Sequence, residues 1–231
     1  MKTKNEKPIL FSTPMVQAIL GDRKTMTRRI VKFPKDFDGR NVYSNDPHGL
    51  KYSRSDDMIE RLFPKYKVGD VLWVRETWRI ISWGDGDPFR IQYKDMTVRS
   101  GVYLPEENAL KYFIQCEHDC LKAGLPRDRD GIWRFNAKNA PTRWRPSIFM
   151  PRSAARIFLK VTRVRVEILQ DISGEDAMKE GVKIESMWPL CIGDSYRAFS
   201  ILWESINGKG SWDANPWVFV YDFEKVGDYY I

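Results

Sequence analysis

The chain has 231 residues, of which 42% are apolar and 30% charged, and its formal net charge is +7. This length fits one large domain or two small ones. The sequence has no run of about 18 apolar residues, which excludes an integral membrane protein, and no apolar segment follows the basic N-terminus as in a signal peptide. Three cysteines are too few, and odd in number, for a disulfide framework, so we expect a cytoplasmic protein.

The first predicted elements lie before residue 32. An apolar run at residues 9–11 predicts a short strand. Thr13 is a good N-cap residue and Pro14 suits the first helical position, so a short helix is predicted to follow and to end at Gly21. Residues 24–31 are predicted to be extended.

Two polar stretches separate the central strands. Residues 33–67 are rich in Asp, Asn, Gly and Pro and predict a long insertion with little regular structure. Residues 68–76 predict a turn that leads into a central strand, because apolar residues occupy both of its faces, and residues 89–93 predict a weaker strand. Residues 100–143 predict a second insertion, polar and with short helices.

The clearest strand pattern spans residues 156–169. Its apolar alternation changes phase near Thr162 and Arg163, which predicts a bulge or a sharp bend of the kind found in small curved barrels. The segment from Ser173 to Asp176 resembles a capping box and predicts a short helix that reaches Glu180.

The C-terminal pattern completes the predicted fold. Residues 196–206 carry aromatic and aliphatic side chains at helical spacing, and residues 217–223 alternate as a strand does. Strands scattered around short helices predict a mixed, mainly β barrel rather than a parallel α/β sheet.

The positive charge is concentrated in one run. Between Arg143 and Arg165 there are seven basic residues and no acidic ones. Arginine offers planar, paired donors that suit phosphates and base edges, and Trp144 lies between two arginines, where it suits stacking on a base. The run predicts a nucleic-acid or nucleotide partner, with a solvated basic strand face as the alternative.

Other chemical motifs are weak or missing. The sequence contains no phosphate-binding loop of the nucleotide triphosphatases and no Gly-x-Gly-x-x-Gly. Cys116, His118 and Cys120 have no second ligand pair at a usable distance, so we predict no metal and no cofactor. Lys24 near Thr27 is a possible catalytic pair, because a buried lysine with a lowered pKa can activate a hydroxyl; a solvated lysine is the alternative.

Residues 18–29, with Gly21, Lys24, Thr27 and Arg29, resemble the opening of ASCH-domain proteins of the PUA-like superfamily. Several further segments resemble the larger form carried by bacteriophages and prophages, namely residues 69–78, 144–152, 169–173 and 212–218. The resemblance implies a single domain over residues 1–231 and the fold class α+β, mainly β. It implies a PUA-like small curved β-barrel with peripheral short helices and two long insertions, at about 33–67 and 100–143.

The resemblance also implies a nucleic-acid- or nucleoside-directed function. Some small ASCH proteins are amidohydrolases that remove the acetyl group from N4-acetylcytidine, and others are ribonucleases or nucleic-acid binders. The hydrolase pattern implies that Thr27 is the nucleophile, that Lys24 is its base, and that Glu180 donates a proton or orients the substrate. The expected residues for binding nucleic acid or substrate are Arg29, Arg75, Trp144, Arg145 and Arg152.

Three functions therefore stay open at this point. The first is a hydrolase that acts on a modified base or on RNA, and the second is a noncatalytic module that binds RNA or DNA. The third is a structural or assembly factor of a phage. The expected partner is RNA, DNA or a modified nucleoside in the cytoplasm, that of the host cell if the gene is phage-encoded, and neither a membrane nor an obligate metal is expected.

Overall fold

A computed structural model describes residues 5–32, 64–84, 88–183 and 192–226. These ranges form eight β-strands and four α-helices, so the fold is α+β with strands predominating. The strands are β1 (Glu6–Leu10), β2 (Met26–Ile30), β3 (Val71–Arg75), β4 (Trp78–Ser82), β5 (Phe89–Tyr93), β6 (Val98–Val102), β7 (Phe158–Ile168) and β8 (Trp217–Lys225). The helices are α1 (Thr13–Leu20), α2 (Glu106–Lys122), α3 (Gly174–Lys179) and α4 (Ile192–Asn207).

Five strands form the larger sheet, in the order β1-β3-β7-β8-β2. β1 runs parallel to β3, and the other neighbours are antiparallel. The prediction that the strands near residues 71, 163 and 220 share one sheet is confirmed. The register of β7 against β8 shifts between Val161 and Arg163, which confirms the predicted bulge. No strand pairing within the described ranges joins the edge strands β1 and β2, so the sheet is not closed into a barrel.

The two faces of β8 contribute to different cores. Phe219 and Tyr221 pack in one core with α1, whereas Val218 and Val220 pack in another with Phe199 of α4. This alternation follows from the strand period of two, and it confirms that the helices near Thr13 and Tyr196 pack on the sheet.

The smaller sheet contains β4, β5 and β6 in an antiparallel arrangement and has a core of its own. Trp78, Ile91 and Tyr93 from this sheet pack with Cys116 of α2 and with Met150.

The prediction of only short helices in residues 100–143 is wrong, because α2 is 17 residues long. Its buried face consists of Cys116, Asp119 and Cys120, a narrow and partly polar stripe that apolar periodicity does not reveal. The predicted insertion at 33–67 lies outside the described residues, except for residues 64–67.

The helices found in the described ranges lack the combination of length and apolar composition that crossing a membrane requires.

Candidate functional site

Both edge strands of the larger sheet line a cavity of about 800 Å³, a volume within the range of small-molecule sites. β1 and β2 each contribute three or more consecutive residues to its lining, and α4 and β8 contribute aromatic side chains. The aromatic lining residues are Tyr66, Phe199, Trp203, Phe219 and Tyr221. The ionisable lining residues, apart from the tyrosines, are Arg28, Arg29, Lys32, Lys65, Arg75 and Glu180. The cavity is therefore suited to a flat, partly apolar ligand that carries negative charge.

The end of α1 directs Lys24 into the protein. The backbone N–H groups of Arg23 and Lys24 both donate to the carbonyl of Ala18, and Asp22 adopts a positive φ of 56°. This tight turn reverses the chain directly after the helix. As a result, the side chain of Lys24 is fully buried, and Lys24 forms an isolated β-bridge with Glu180.

Glu180 is placed by the short helix α3. The hydroxyl of Ser173 caps the helix by accepting a hydrogen bond from the N–H of Asp176 at 3.0 Å, as the capping box predicts. Glu180 follows the last helical residue and is 3% exposed. Gly181 comes next, with a φ of +85°, and a Cβ built there would lie 2.8 Å from the Cβ of Lys24. Only glycine fits where the chain leaves the helix beside Lys24.

Lys24 and Glu180 form a buried ion pair. Nζ of Lys24 lies 2.7 Å from Oε2 of Glu180 and 2.9 Å from its backbone carbonyl oxygen. Burial lowers the pKa of Lys24, while the negative charge of Glu180 acts in the opposite direction. An amine with a lowered pKa exchanges its proton more readily at neutral pH, which a general base requires.

Arg28 holds the other oxygen of the Glu180 carboxylate, and the sequence reasoning missed this contact. Its Nη1 donates to Oε1 of Glu180 at 3.1 Å, while its Nη2 lies 2.5 Å from Glu167. Asp176 joins this group, 3.3 Å from Nη2 of Arg28 and 2.5 Å from Nη2 of Arg165. The signal was present in the sequence, because strand alternation places Arg28 on the same face as Met26 and Lys24.

Thr27 and Glu180 lie on the wall of the same cavity. Thr27 is opposite Tyr221 in the ladder between β2 and β8, and Arg29 is opposite Phe219, so both lie on the same face of β2, and all four residues line the cavity. The structure therefore brings Lys24 into contact with Glu180 and places Thr27 on the same cavity.

Arg29 and Arg75 line this cavity as well. Nη2 of Arg29 donates to the carbonyl oxygen of Leu10 at 2.8 Å, and Leu10 is the ladder partner of Arg75. Both arginines therefore lie next to Leu10, the last residue of the edge strand β1.

The other three predicted binding residues lie away from the cavity. The ring of Trp144 contacts two cations, the guanidinium of Arg79 at 4.5 Å and Nζ of Lys94 at 4.6 Å from its centroid. Arg145 is 5% exposed and donates to Gln115. Arg152 forms an ion pair with Glu6, which also lies outside the cavity lining. Their role in binding nucleic acid stays a prediction.

The basic run is largely neutralised by acidic residues from distant parts of the chain. Arg143 pairs with Asp119, while Arg156 pairs with Glu76 and Asp95. Arg165 pairs with Asp222 and Asp176. The absence of acidic residues within the run therefore does not produce a surface of unpaired cations.

The cysteine motif on α2 belongs to a core. Cys116 and Cys120 are fully buried, and burial raises the pKa of Cys116 to about 12 and that of Cys120 to about 11. Such thiols are poor nucleophiles and poor metal ligands at neutral pH. Across the described ranges, His, Cys, Asp and Glu side chains do not come together in threes in a way that would hold a metal ion.

Comparison with family models, with curated proteins and with solved structures found no match to this chain.

Proposed function

We propose that this chain is an ASCH-type hydrolase with a PUA-like fold, and that it cleaves the exocyclic amide of an N4-acylated cytosine bound in the cavity. The observation that carries the proposal is the buried Lys24–Glu180 pair, with Nζ 2.7 Å from Oε2, beside a cavity that Thr27 and Glu180 both line. The aromatic walls support binding of a base, and the five-stranded sheet, whose two edge strands both line the cavity, supports the PUA-like assignment.

The proposed reaction has two stages. Oγ1 of Thr27 attacks the acyl carbon while its proton passes to the Lys24–Glu180 pair, and the bond between the acyl carbon and the exocyclic nitrogen breaks. The departing nitrogen takes up the proton, which leaves cytosine with its amino group. Water then cleaves the Thr27 ester, so that the carboxylic acid leaves and the hydroxyl is restored. Arg28 keeps the Glu180 carboxylate oriented through its contact with Oε1.

Turnover of N4-acetylcytidine, followed by mass spectrometry, tests this proposal. We expect wild-type protein to release cytidine. The variants Thr27→Val and Glu180→Gln are each expected to react at least about 100-fold more slowly, since a positioned acid or base typically contributes about 100-fold or more to the rate. Thr27→Ser keeps the hydroxyl and is expected to retain activity. Thr25→Val is the matched control, because Thr25 is exposed and does not line the cavity.

Two results would count against the hydrolase. Full activity of Thr27→Val would overturn the role of Thr27, and a wild-type protein that turns over no acylated cytidine would overturn the reaction. A noncatalytic binding module is the second candidate. It is favoured by the engagement of both Glu180 carboxylate oxygens, one by Lys24 and one by Arg28, which is also the arrangement of a structural ion pair. Binding of cytidine without turnover, unchanged in Thr27→Val, would support it.

A further inference from the structure

Arginines in the described ranges fall into two groups according to their partners. Most of the buried or half-buried arginines donate to carboxylates or to backbone carbonyl groups, as Arg156 and Arg79 do. Three arginines line the cavity, namely Arg28, Arg29 and Arg75, and only Arg28 pairs with carboxylates among the described residues, including those of Glu167 and Glu180. Arg29 and Arg75 have no such partner, and a guanidinium that lines a cavity can offer its planar, paired donors to an anionic ligand.

The surroundings of Arg75 leave its donors unused. Its guanidinium lies over the ring of Trp73, 4.6 Å from the centroid, and its Nε is buried without a hydrogen-bond partner in the described part of the chain. Buried donors are nearly always paired in folded proteins, so this one calls for a partner that is supplied from outside.

Arg29 contacts the same residue of β1 that pairs with Arg75, and within the described ranges its guanidinium donates one hydrogen bond. Its Nη2 donates to the carbonyl oxygen of Leu10, the residue that pairs with Arg75 in the β1–β3 ladder. Burial lowers the pKa of Arg29, and a bound anion would offset that effect.

Further positive charge surrounds the two arginines. The positive charges of Arg29 and Arg75 both act to lower the pKa of Tyr66, whereas burial raises that pKa. Lys65 and Lys32 also line the cavity, while the carboxylate that lines it, that of Glu180, is already paired with Lys24 and Arg28. The end of the cavity near Arg29 and Arg75 therefore carries positive charge that no described side chain balances.

We propose that Arg29 and Arg75 form a phosphate subsite, so that the ligand of the cavity is a nucleotide or the phosphorylated end of a strand rather than a free nucleoside. The identity of the base rests on the proposed function, but the phosphate subsite does not. Two guanidinium groups offer paired N–H donors to the oxygens of a phosphate dianion. The neighbouring lysines add positive point charges, which do not require a particular orientation of the phosphate.

Titration calorimetry with cytidine, CMP and inorganic phosphate tests the subsite at low salt. We expect CMP to bind wild-type protein at least about tenfold more tightly than cytidine, as charge-assisted hydrogen bonds to a phosphate require. This advantage is expected to disappear in Arg75→Gln and in Arg29→Gln and to persist in Arg90→Gln, which removes an exposed arginine of β5. Equal affinities of wild-type protein for cytidine and CMP would overturn the proposal, and that comparison does not depend on the folding of any variant.

A second arm separates the two sources of phosphate. Pentacytidylate with and without a 5′-phosphate is titrated beside CMP: tighter binding of the phosphorylated strand assigns the subsite to strand ends, and tighter binding of CMP assigns it to mononucleotides. These measurements also distinguish failure of the proposed reaction from failure of the phosphate subsite. A preference for CMP without deacylation contradicts the hydrolase alone, whereas deacylation with equal affinities contradicts the phosphate subsite alone.

Discussion

Adjacent residues at the end of β3 lead into two different regions of the molecule. Arg75 turns toward the cavity of the larger sheet, where its Nε has no partner in the described ranges. Glu76 turns the other way and binds Arg156, which Asp95 of the smaller-sheet region holds at 2.7 Å. One region thus contains an arginine that two carboxylates balance, and the other contains two arginines, Arg29 and Arg75, that no carboxylate of the described residues balances.

This difference separates arginines that build the protein from arginines available to a ligand. A buried charge costs free energy unless it is paired, so the balanced arginines hold segments together that are distant in the sequence. An unpaired arginine in a cavity contributes little to folding and gains its partner on binding. Loss of the arginine is therefore expected to reduce stability much more in the first region, at Arg156, than in the second, at Arg29 or Arg75.

The largest effect is expected for Arg156→Ala. This change leaves Glu76 and Asp95 buried without their cation, so we expect a loss of about 3–5 kcal/mol in the free energy of unfolding. Urea denaturation at pH 7 measures it. Arg90→Ala, which removes an exposed arginine of β5, is the control and is expected to change stability by less than about 0.5 kcal/mol. A loss below about 1 kcal/mol for Arg156→Ala would remove the distinction between the two kinds of arginine.

A smaller effect is expected for Gly181→Ala beside the candidate site. The positive φ costs about 1–2 kcal/mol, and the new Cβ, 2.8 Å from the Cβ atoms of Ala18 and Lys24, adds roughly 1–3 kcal/mol. Gly210→Ala is the matched control, because its φ is +80° with no atom within 4 Å of the new Cβ. We expect Gly181→Ala to be the more destabilising of the two by thermal and urea unfolding. Equal losses would mean that the contact with Lys24 relaxes freely.

The smallest effect on stability is expected for Arg75→Gln. Because the Arg75 guanidinium balances no described carboxylate, its loss is expected to change the free energy of unfolding by less than about 1 kcal/mol. The measurement is the same urea titration. A loss as large as that of Arg156→Ala would place Arg75 among the structural arginines.

Local patterns in the sequence predicted the features that depend on neighbouring residues. The capping box at Ser173 and the phase change near Thr162 were both found, since each arises from a few consecutive residues. The contact between Lys24 and Glu180 followed from the ASCH resemblance rather than from periodicity.

Features that depend on distant pairing were not predictable in the same way. The run from Arg143 to Arg165 looked unbalanced because its acidic partners lie elsewhere, in one case 146 residues away at Glu6. The ASCH resemblance pointed to Arg29 and Arg75 as binding residues, but only the fold shows that neither pairs with a carboxylate among the described residues and that both lie next to Leu10 of β1.

The separation of 156 residues between Lys24 and Glu180 has a consequence for biosynthesis. Closing so long a loop costs chain entropy that only the completed sheet offsets, so this contact is expected to form late in folding. While the ribosome is still adding α3, the emerging chain has Lys24 without the carboxylate of Glu180. Catalysis, in the proposed reaction, therefore begins only after nearly the whole sequence has been translated.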